Sequence, residues 1–99
     1  MLTGDHVPAE EALRIGLVQI LCDDEALDSA ALDLAERIAA NAPIASQATK
    51  ELVRRSEEMA IEAGMRWQAD LQAYCLGTDD AKEGISAYKE KRRPNFVGH

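Results

Sequence analysis

Several signatures of catalytic and metal-binding proteins are missing from this sequence. It contains no glycine-rich phosphate loop and no HExxH motif. His6 and His99 lie near opposite ends of the chain, without a nearby nucleophile. Cys22 and Cys75 have no zinc or redox spacing, so we expect two reduced, buried thiols in a cytoplasmic protein. The sequence therefore predicts no catalytic residue, no metal site and no bound cofactor in this chain.

Long apolar runs and basic surfaces are also scarce. No stretch approaches the ~18 apolar residues of a membrane-spanning helix, and no basic segment followed by an apolar run marks a signal peptide. The net charge of −7 disfavours nucleic acid, because phosphate neutralisation needs a basic face. We expect neither a membrane nor a nucleic acid as a partner. At 99 residues the chain has room for one domain, covering 1–99.

Alanine and leucine supply most of the apolar side chains, and aromatic residues make up only 4%. This composition favours helices over sheets. The apolar spacing predicts an all-α fold of four to five helices, with one extended segment, "LVQILC", at residues 17–22. The predicted helices cover residues 8–16, 24–41, 43–55 and 60–76, and a last helix runs from the cap at Thr78 towards Pro94.

Local signals set the ends of these helices. Pro43 begins one helix, Gly77 closes the longest, and Thr78 is a good N-cap for the last. Gly64 lies inside the longest helix, where it indicates a close helix crossing. The single candidate strand has no partner of its own kind, which indicates that its pairing surface is missing.

Positive charge is concentrated near the end of the chain. Residues 82–99 carry five Lys or Arg against two acidic residues, although the whole chain is strongly acidic. Two interpretations remain open for Lys89, Lys91, Arg92 and Arg93: cations at a helix C-terminus, stabilised by the helix dipole, or a site for an anion.

Three segments resemble the enoyl-CoA hydratase/isomerase (crotonase) superfamily, in the order of that family. "LTGDHVPAEEALRIGLV" (2–18) is similar to its LTG…AxEALxxGLV segment, and "LAERIAANAPIASQATKELV" (34–53) to its next helix pair. "TDDAKEGISAYKEKRRPNF" (78–96) is similar to its closing (S/T)xDxxEGxxAFxEKRxPxF motif. Together they cover nearly the whole chain.

The resemblance implies the helical C-terminal subdomain of the crotonase fold, without the preceding core of ββα units. In the family that core supplies the oxyanion-binding N–H groups and the acid–base residues for acyl-CoA thioesters. The expected function is therefore an oligomerisation segment that covers the CoA site of a parent enzyme. The chain alone would be inactive, although the sequence leaves its enzymatic status open. Acyl-CoA would be a substrate of the parent, and trimers or larger assemblies its oligomers.

The resemblance also implies two binding residues. In related hydratases an aromatic residue at the position of Tyr88 and a lysine at that of Lys91 lie near the adenine and the 3′-phosphate of a CoA bound mainly by an adjacent subunit. Tyr88 replaces the usual Phe, and Gln72 aligns with another Phe of some hydratases. The alternative interpretation is an independent acidic helical module that self-associates and has no CoA chemistry.

Overall fold

Helices form all of the regular structure in the computed structural model, which describes residues 2–99. Its elements are α1 (Ala9–Arg14), α2 (Leu27–Ala39), α3 (Pro43–Ser56), α4 (Ile61–Leu76) and α5 (Asp79–Glu90), with a 3-10 turn at Asp24–Ala26 before α2. The prediction of an all-α fold is confirmed. The chain divides into two units, one ending at Leu34 and the other covering Ala35–His99.

The first unit contains α1 and the turn that follows it. Glu11 and Arg14 form an ion pair of 2.5 Å on the surface of α1. The helix ends as expected near Gly16, which has a φ of +77°. The N–H groups of Leu17 and Val18 then donate to the carbonyl of Ala12 at 2.8 and 3.3 Å. The chain therefore turns sharply after α1.

Residues 17–22, the candidate strand that the sequence leaves without a partner, follow this turn as irregular backbone. The first two N–H groups of this segment are engaged with the carbonyl of Ala12 and cannot enter a β-ladder. Within residues 2–99 no strand is present to pair with the segment. Its side chains stay largely open to solvent, with Leu17 61% and Ile20 53% exposed.

The second unit is built on the packing of α3 against α4 and of α4 against α5. Pro43 begins α3 as predicted, and the helix continues one residue beyond its expected end, to Ser56. The guanidinium of Arg55 lies 5.7 Å from the ring centroid of Trp67, which joins the surfaces of α3 and α4 through a cation–π contact. Arg55 also pairs with Glu51 at 2.5 Å.

The junction between α4 and α5 forms as the sequence predicts. Gly77 ends α4, and the hydroxyl of Thr78 accepts the N–H of Ala81 at 3.2 Å. The same hydroxyl donates to the carbonyl of Cys75 at 2.7 Å. One side chain therefore closes one helix and caps the next, which fixes the direction in which α5 leaves α4.

Two expectations about α4 and the thiols differ from the structure. Apart from the neighbouring backbone of α4 itself, no atom of residues 2–99 lies within 4 Å of the Cβ position at Gly64, so no other described helix crosses there. Cys22 and Cys75 are both free, but they are half-buried instead of fully buried.

The described residues contain very little core. Ala12 and Ala87 are their buried apolar side chains, and Asp80 is their one buried polar residue. Twenty large apolar side chains in the described part of the chain are exposed, among them Leu32 at 63% and Ile61 at 77%. Apolar surface on this scale is typical of a binding interface.

Candidate functional site at the end of α5

The end of α5 is closed by a Schellman motif, a turn that satisfies the last helical carbonyls. The N–H of Lys91 donates to the carbonyl of Tyr88 at 3.3 Å, and that of Arg92 donates to the carbonyl of Ala87 at 3.0 Å. This motif places Lys91 in the left-handed region with a φ of +56°, where glycine is the usual residue. A lysine there costs backbone energy that glycine would not, and such strain is frequent at functional sites.

Arg92 is held by two carboxylates of α5. Its guanidinium donates to both oxygens of Glu83, at 2.5 and 2.8 Å, and to Glu90 at 2.6 Å. Glu83 also accepts the N–H of Asn95 at 2.8 Å. The hydrogen bonds from Arg92, and to a smaller extent the one from Asn95, lower the pKa of Glu83 to about 2. The carboxylates in turn raise the pKa of Arg92 above its usual range.

These contacts bear on the two interpretations of the basic run. Lys89 lies in the last turn of α5, as the dipole interpretation requires. Arg92 is bound by Glu83 and Glu90, a pairing that neither interpretation includes. Lys91 is exposed, and it forms no ion pair with any of residues 2–99.

After Arg92 the chain returns along α5 towards its beginning. Asp80, only 1% exposed, accepts the N–H groups of Val97 and Gly98 at 2.7 and 2.9 Å. The carbonyl of His99 then accepts the N–H groups of Asp79 and Asp80 at 2.9 and 3.3 Å. We call residues 92–99 the return segment. It is anchored to α5 at both of its ends.

The predicted binding residues lie at the same end of α5. Tyr88 is 86% exposed, so both faces of its ring are accessible. The exposed ammonium of Lys91 follows three residues later. A planar ring can stack on an aromatic ligand, and an unpaired ammonium can bind a phosphate. Gln72 lines an open groove of about 460 Å³ between α3 and α4, together with Leu71 and Cys75.

Sequence reasoning missed Asp80 and Glu83. The sequence analysis gives neither of them a role, yet Asp80, Glu83 and the buried Ala87 recur at helical spacing on α5. An acid on the buried stripe of a helix needs a partner, because an unpaired buried charge is costly. That spacing was the available signal. Within the part of the chain that the structure describes, no three His, Cys, Asp or Glu side chains come together as a metal site.

Comparison with known proteins identifies the chain. The family model for enoyl-CoA hydratase/isomerase matches residues 1–99. The chain belongs to this family. It is 37% identical over 98 residues to the 2,3-dehydroadipyl-CoA hydratase of Escherichia coli (strain K12) and 41% identical over 98 residues to the (E)-benzylidenesuccinyl-CoA hydratase of Thauera aromatica. Each alignment covers 99% of this chain and 38% of the relative.

The solved structures agree with this assignment. The crystal structure of the enoyl-CoA hydratase from Mycobacterium tuberculosis H37Rv superimposes with a TM-score of 0.91 at 39% sequence identity. The match covers 99% of this chain and 39% of that structure. The enoyl-CoA hydratase from Bacillus anthracis gives a TM-score of 0.93 at 33% identity. This member of the enoyl-CoA hydratase/isomerase family therefore has the helical C-terminal part of the crotonase fold, as the sequence predicts.

The chain spans less than two fifths of the length of these relatives. Among the helices of residues 2–99, none combines the length and the apolar character needed to cross a membrane.

Proposed function

We propose that this chain is the segment of an enoyl-CoA hydratase/isomerase that covers the CoA site and joins subunits. The observation that carries the proposal is the pair formed by Tyr88 and Lys91. The ring of Tyr88 is 86% exposed, and Lys91 is exposed and unpaired among residues 2–99, at the end of the same helix. In this proposal Tyr88 stacks on the adenine of CoA, and the ammonium of Lys91 binds the 3′-phosphate. The CoA is bound mainly by a neighbouring subunit.

The parent enzyme acts on acyl-CoA thioesters through an enolate whose oxyanion is stabilised by backbone N–H groups, with carboxylates moving the protons. Two relatives, the 2,3-dehydroadipyl-CoA hydratase and the (E)-benzylidenesuccinyl-CoA hydratase, are CoA-thioester hydratases by name, which supports this reaction class. The residues of the oxyanion site and of the acid–base pair lie outside this chain in the proposal. The chain alone is therefore expected to leave crotonyl-CoA unchanged, and turnover above background would contradict it.

Self-association is the second part of the proposal. The exposed apolar side chains leave the helices without a core of their own, and burying them would contribute about 25 cal/mol per Å² of apolar surface. Trimers or larger assemblies are expected. Sedimentation velocity checks this directly, and a compact monomer at all concentrations would contradict it.

The nucleotide contact is tested with the part of CoA that it concerns. Adenosine 3′,5′-bisphosphate is titrated into the isotopically labelled chain, and adenosine 5′-monophosphate serves as the ligand without the 3′-phosphate. We expect NMR shifts at Tyr88 with both ligands and at Lys91 with the bisphosphate. Lys91→Met should remove the preference for the bisphosphate, whereas Lys50→Met, at an exposed lysine of α3, should not. Equal binding of both ligands by the unmodified chain would overturn the contact.

The exposed apolar surface also favours a second candidate, an acidic helical module that self-associates without CoA chemistry. The net charge of −7 and the small core are compatible with it. Assembly in sedimentation, combined with no response of Tyr88 and Lys91 to the bisphosphate, would favour this candidate over the CoA-covering segment.

A further inference from the structure

Glu83 connects the middle of α5 to the residues that follow Lys91. It lies two turns before the end of the helix, and its carboxylate receives three hydrogen bonds from beyond that end. Two come from the guanidinium of Arg92 and one from the N–H of Asn95. A bidentate arginine–carboxylate pair fixes direction as well as distance. Glu83 therefore sets the path that the chain takes immediately after Lys91.

Lys91 needs such a restraint. Its left-handed conformation places the side chain close to its own following carbonyl, at a cost of roughly 1–2 kcal/mol for a residue other than glycine. The next residue, Arg92, is bound at two points. Its N–H donates to the carbonyl of Ala87, and its guanidinium forms an ion pair with the carboxylate of Glu83. The backbone of Lys91 is thereby restrained on one side by α5 and on the other by Arg92, which is itself bound to α5.

The same pairing decides which cations are available. Arg92 uses its guanidinium for hydrogen bonds to Glu83, to Glu90 and to its neighbouring carbonyl at Arg93, so most of its donors are occupied within the chain. Lys91, beside it, has no such partner among residues 2–99. An anion approaching the end of α5 therefore meets the exposed side chains of Lys91 and Arg93, neither of which forms an ion pair among residues 2–99, and not the bidentate face of Arg92. Of these two cations, Lys91 offers the single-point ammonium contact.

We infer that Glu83 is a positioning residue, which holds Arg92 against α5 so that Lys91 keeps its left-handed backbone and presents its ammonium to the 3′-phosphate. This inference rests on the proposed nucleotide contact of Lys91. Glu83 itself touches no ligand and acts through Arg92. It also keeps the guanidinium of Arg92 paired with carboxylates and away from the phosphate.

Glu83 carries this role more strongly than Glu90. The side chain of Glu83 is 25% exposed and that of Glu90 is 56% exposed, so solvent weakens the second pair more. Glu83 also accepts the N–H of Asn95, which lies beyond Arg92. Glu90 forms no hydrogen bond to a described residue beyond Arg92. Glu90 is therefore a matched control: a carboxylate on the same arginine without the contact that fixes the return segment.

The test compares Glu83→Gln, Arg92→Lys and Glu90→Gln in the whole chain. Arg92→Lys keeps the positive charge but loses the two parallel hydrogen bonds. Two properties are measured. The ¹³Cα and ¹³Cβ shifts of residue 91 report the left-handed backbone without any ligand. The ratio of the affinities for adenosine 3′,5′-bisphosphate and 5′-monophosphate reports the phosphate contact and cancels any common loss of folded protein.

Glu83→Gln and Arg92→Lys should both move the shifts of residue 91 away from left-handed values and reduce the affinity ratio towards one. Glu90→Gln should leave both close to those of the unmodified chain. If either of the first two variants fails to fold, the other carries the test. Unchanged shifts and an unchanged ratio in Glu83→Gln would overturn the positioning role.

The design separates this inference from the proposal beneath it. If the unmodified chain shows an affinity ratio of one, the contact between Lys91 and the 3′-phosphate is refuted. The shifts of residue 91 would still decide whether Glu83 fixes that backbone. A different outcome would refute the positioning role alone. In that outcome the unmodified chain prefers the bisphosphate, Lys91→Met abolishes this preference, and Glu83→Gln keeps it. The nucleotide contact of Lys91 would then stand.

Discussion

The ring of Phe96 lies over the backbone of Gly84, with its Cε1 atom 3.6 Å from the position that a Cβ atom would occupy there. That distance is an ordinary van der Waals contact, so the ring leaves room for one methyl group and no more. Gly84 is in the interior of α5, where alanine is favoured over glycine by about 1 kcal/mol.

Gly84→Ala should therefore stabilise the chain by up to about 1 kcal/mol. Gly84→Leu should displace Phe96 and lower the free energy of unfolding, because the longer side chain takes the volume of the ring. Chemical denaturation followed by circular dichroism measures both. A large loss of stability in the alanine variant would show that the ring packs more tightly than the structure indicates.

Asp80 and Asp79 should respond differently to the same substitution. Asp80 is buried and accepts two backbone N–H groups, so Asp80→Ala leaves two donors without a partner and should cost about 1–3 kcal/mol. Asp79 is exposed and pairs with Lys82 at the surface, and Asp79→Ala should cost much less. Hydrogen exchange at Val97 and Gly98 should accelerate in the first variant and not in the second.

Acid should weaken the hold of Glu83 on the return segment. The pKa of Glu83 is lowered from 4.5 to about 2 in the folded chain. A lowered pKa means that the unfolded chain binds the proton first, so the contribution of Glu83 is complete above about 4.5 and is lost as the pH falls through about 2. The stability difference between the unmodified chain and Glu83→Gln should be constant near neutral pH and shrink across that window.

The ¹³Cδ titration of Glu83 checks the value directly. A midpoint near the ordinary value for glutamate would contradict the bidentate pair with Arg92.

Substitutions at Lys91 should separate stability from binding. Lys91→Gly relieves the left-handed backbone and should raise stability by up to about 1 kcal/mol, while it removes the ammonium proposed to bind phosphate. Lys91→Ala removes the same ammonium but keeps the strained backbone, so it should bind as poorly without the gain in stability. Thermal unfolding and bisphosphate titration are measured on both variants. Equal stability of the two would contradict the strain at this residue.

Gly64 offers a test of what covers α4. The Cβ position there is open in this chain, so Gly64→Ala should stabilise the monomer by about 1 kcal/mol through helix propensity alone. A loss of self-association in the same variant, seen by sedimentation, would place another polypeptide against this part of α4. Ala63→Ser, at an exposed neighbouring position, provides the control.

The helices were predictable because their ends depend on local chemistry. Pro43, Gly77 and Thr78 each act through contacts within a few residues, and the structure begins or ends helices at or beside all three. The last helix is the exception. Its pattern predicts an end near Pro94, but the left-handed backbone of Lys91 ends it at Glu90.

The site was less predictable, since it depends on the return of the chain. Asp79 and Asp80 are adjacent and chemically identical, yet one is exposed and the other is buried by residues 17 and 18 positions later. Nothing local distinguishes them except the helical register with Ala87. The pairing of Arg92 with Glu83 was not predictable for the same reason, because the two residues lie nine positions apart. The roles of Tyr88 and Lys91 stay predictions.

The carbonyl of His99 sits on the first amides of α5, which makes a closed ring of the helix and the polypeptide that follows it. A load applied at residue 99 therefore enters α5 through its opening turn and not through its last one. Any tether, surface or fused protein attached there would first strain the hydrogen bonds from the N–H groups of Asp79 and Asp80. Lys91, at the opposite end of the ring, would be displaced last.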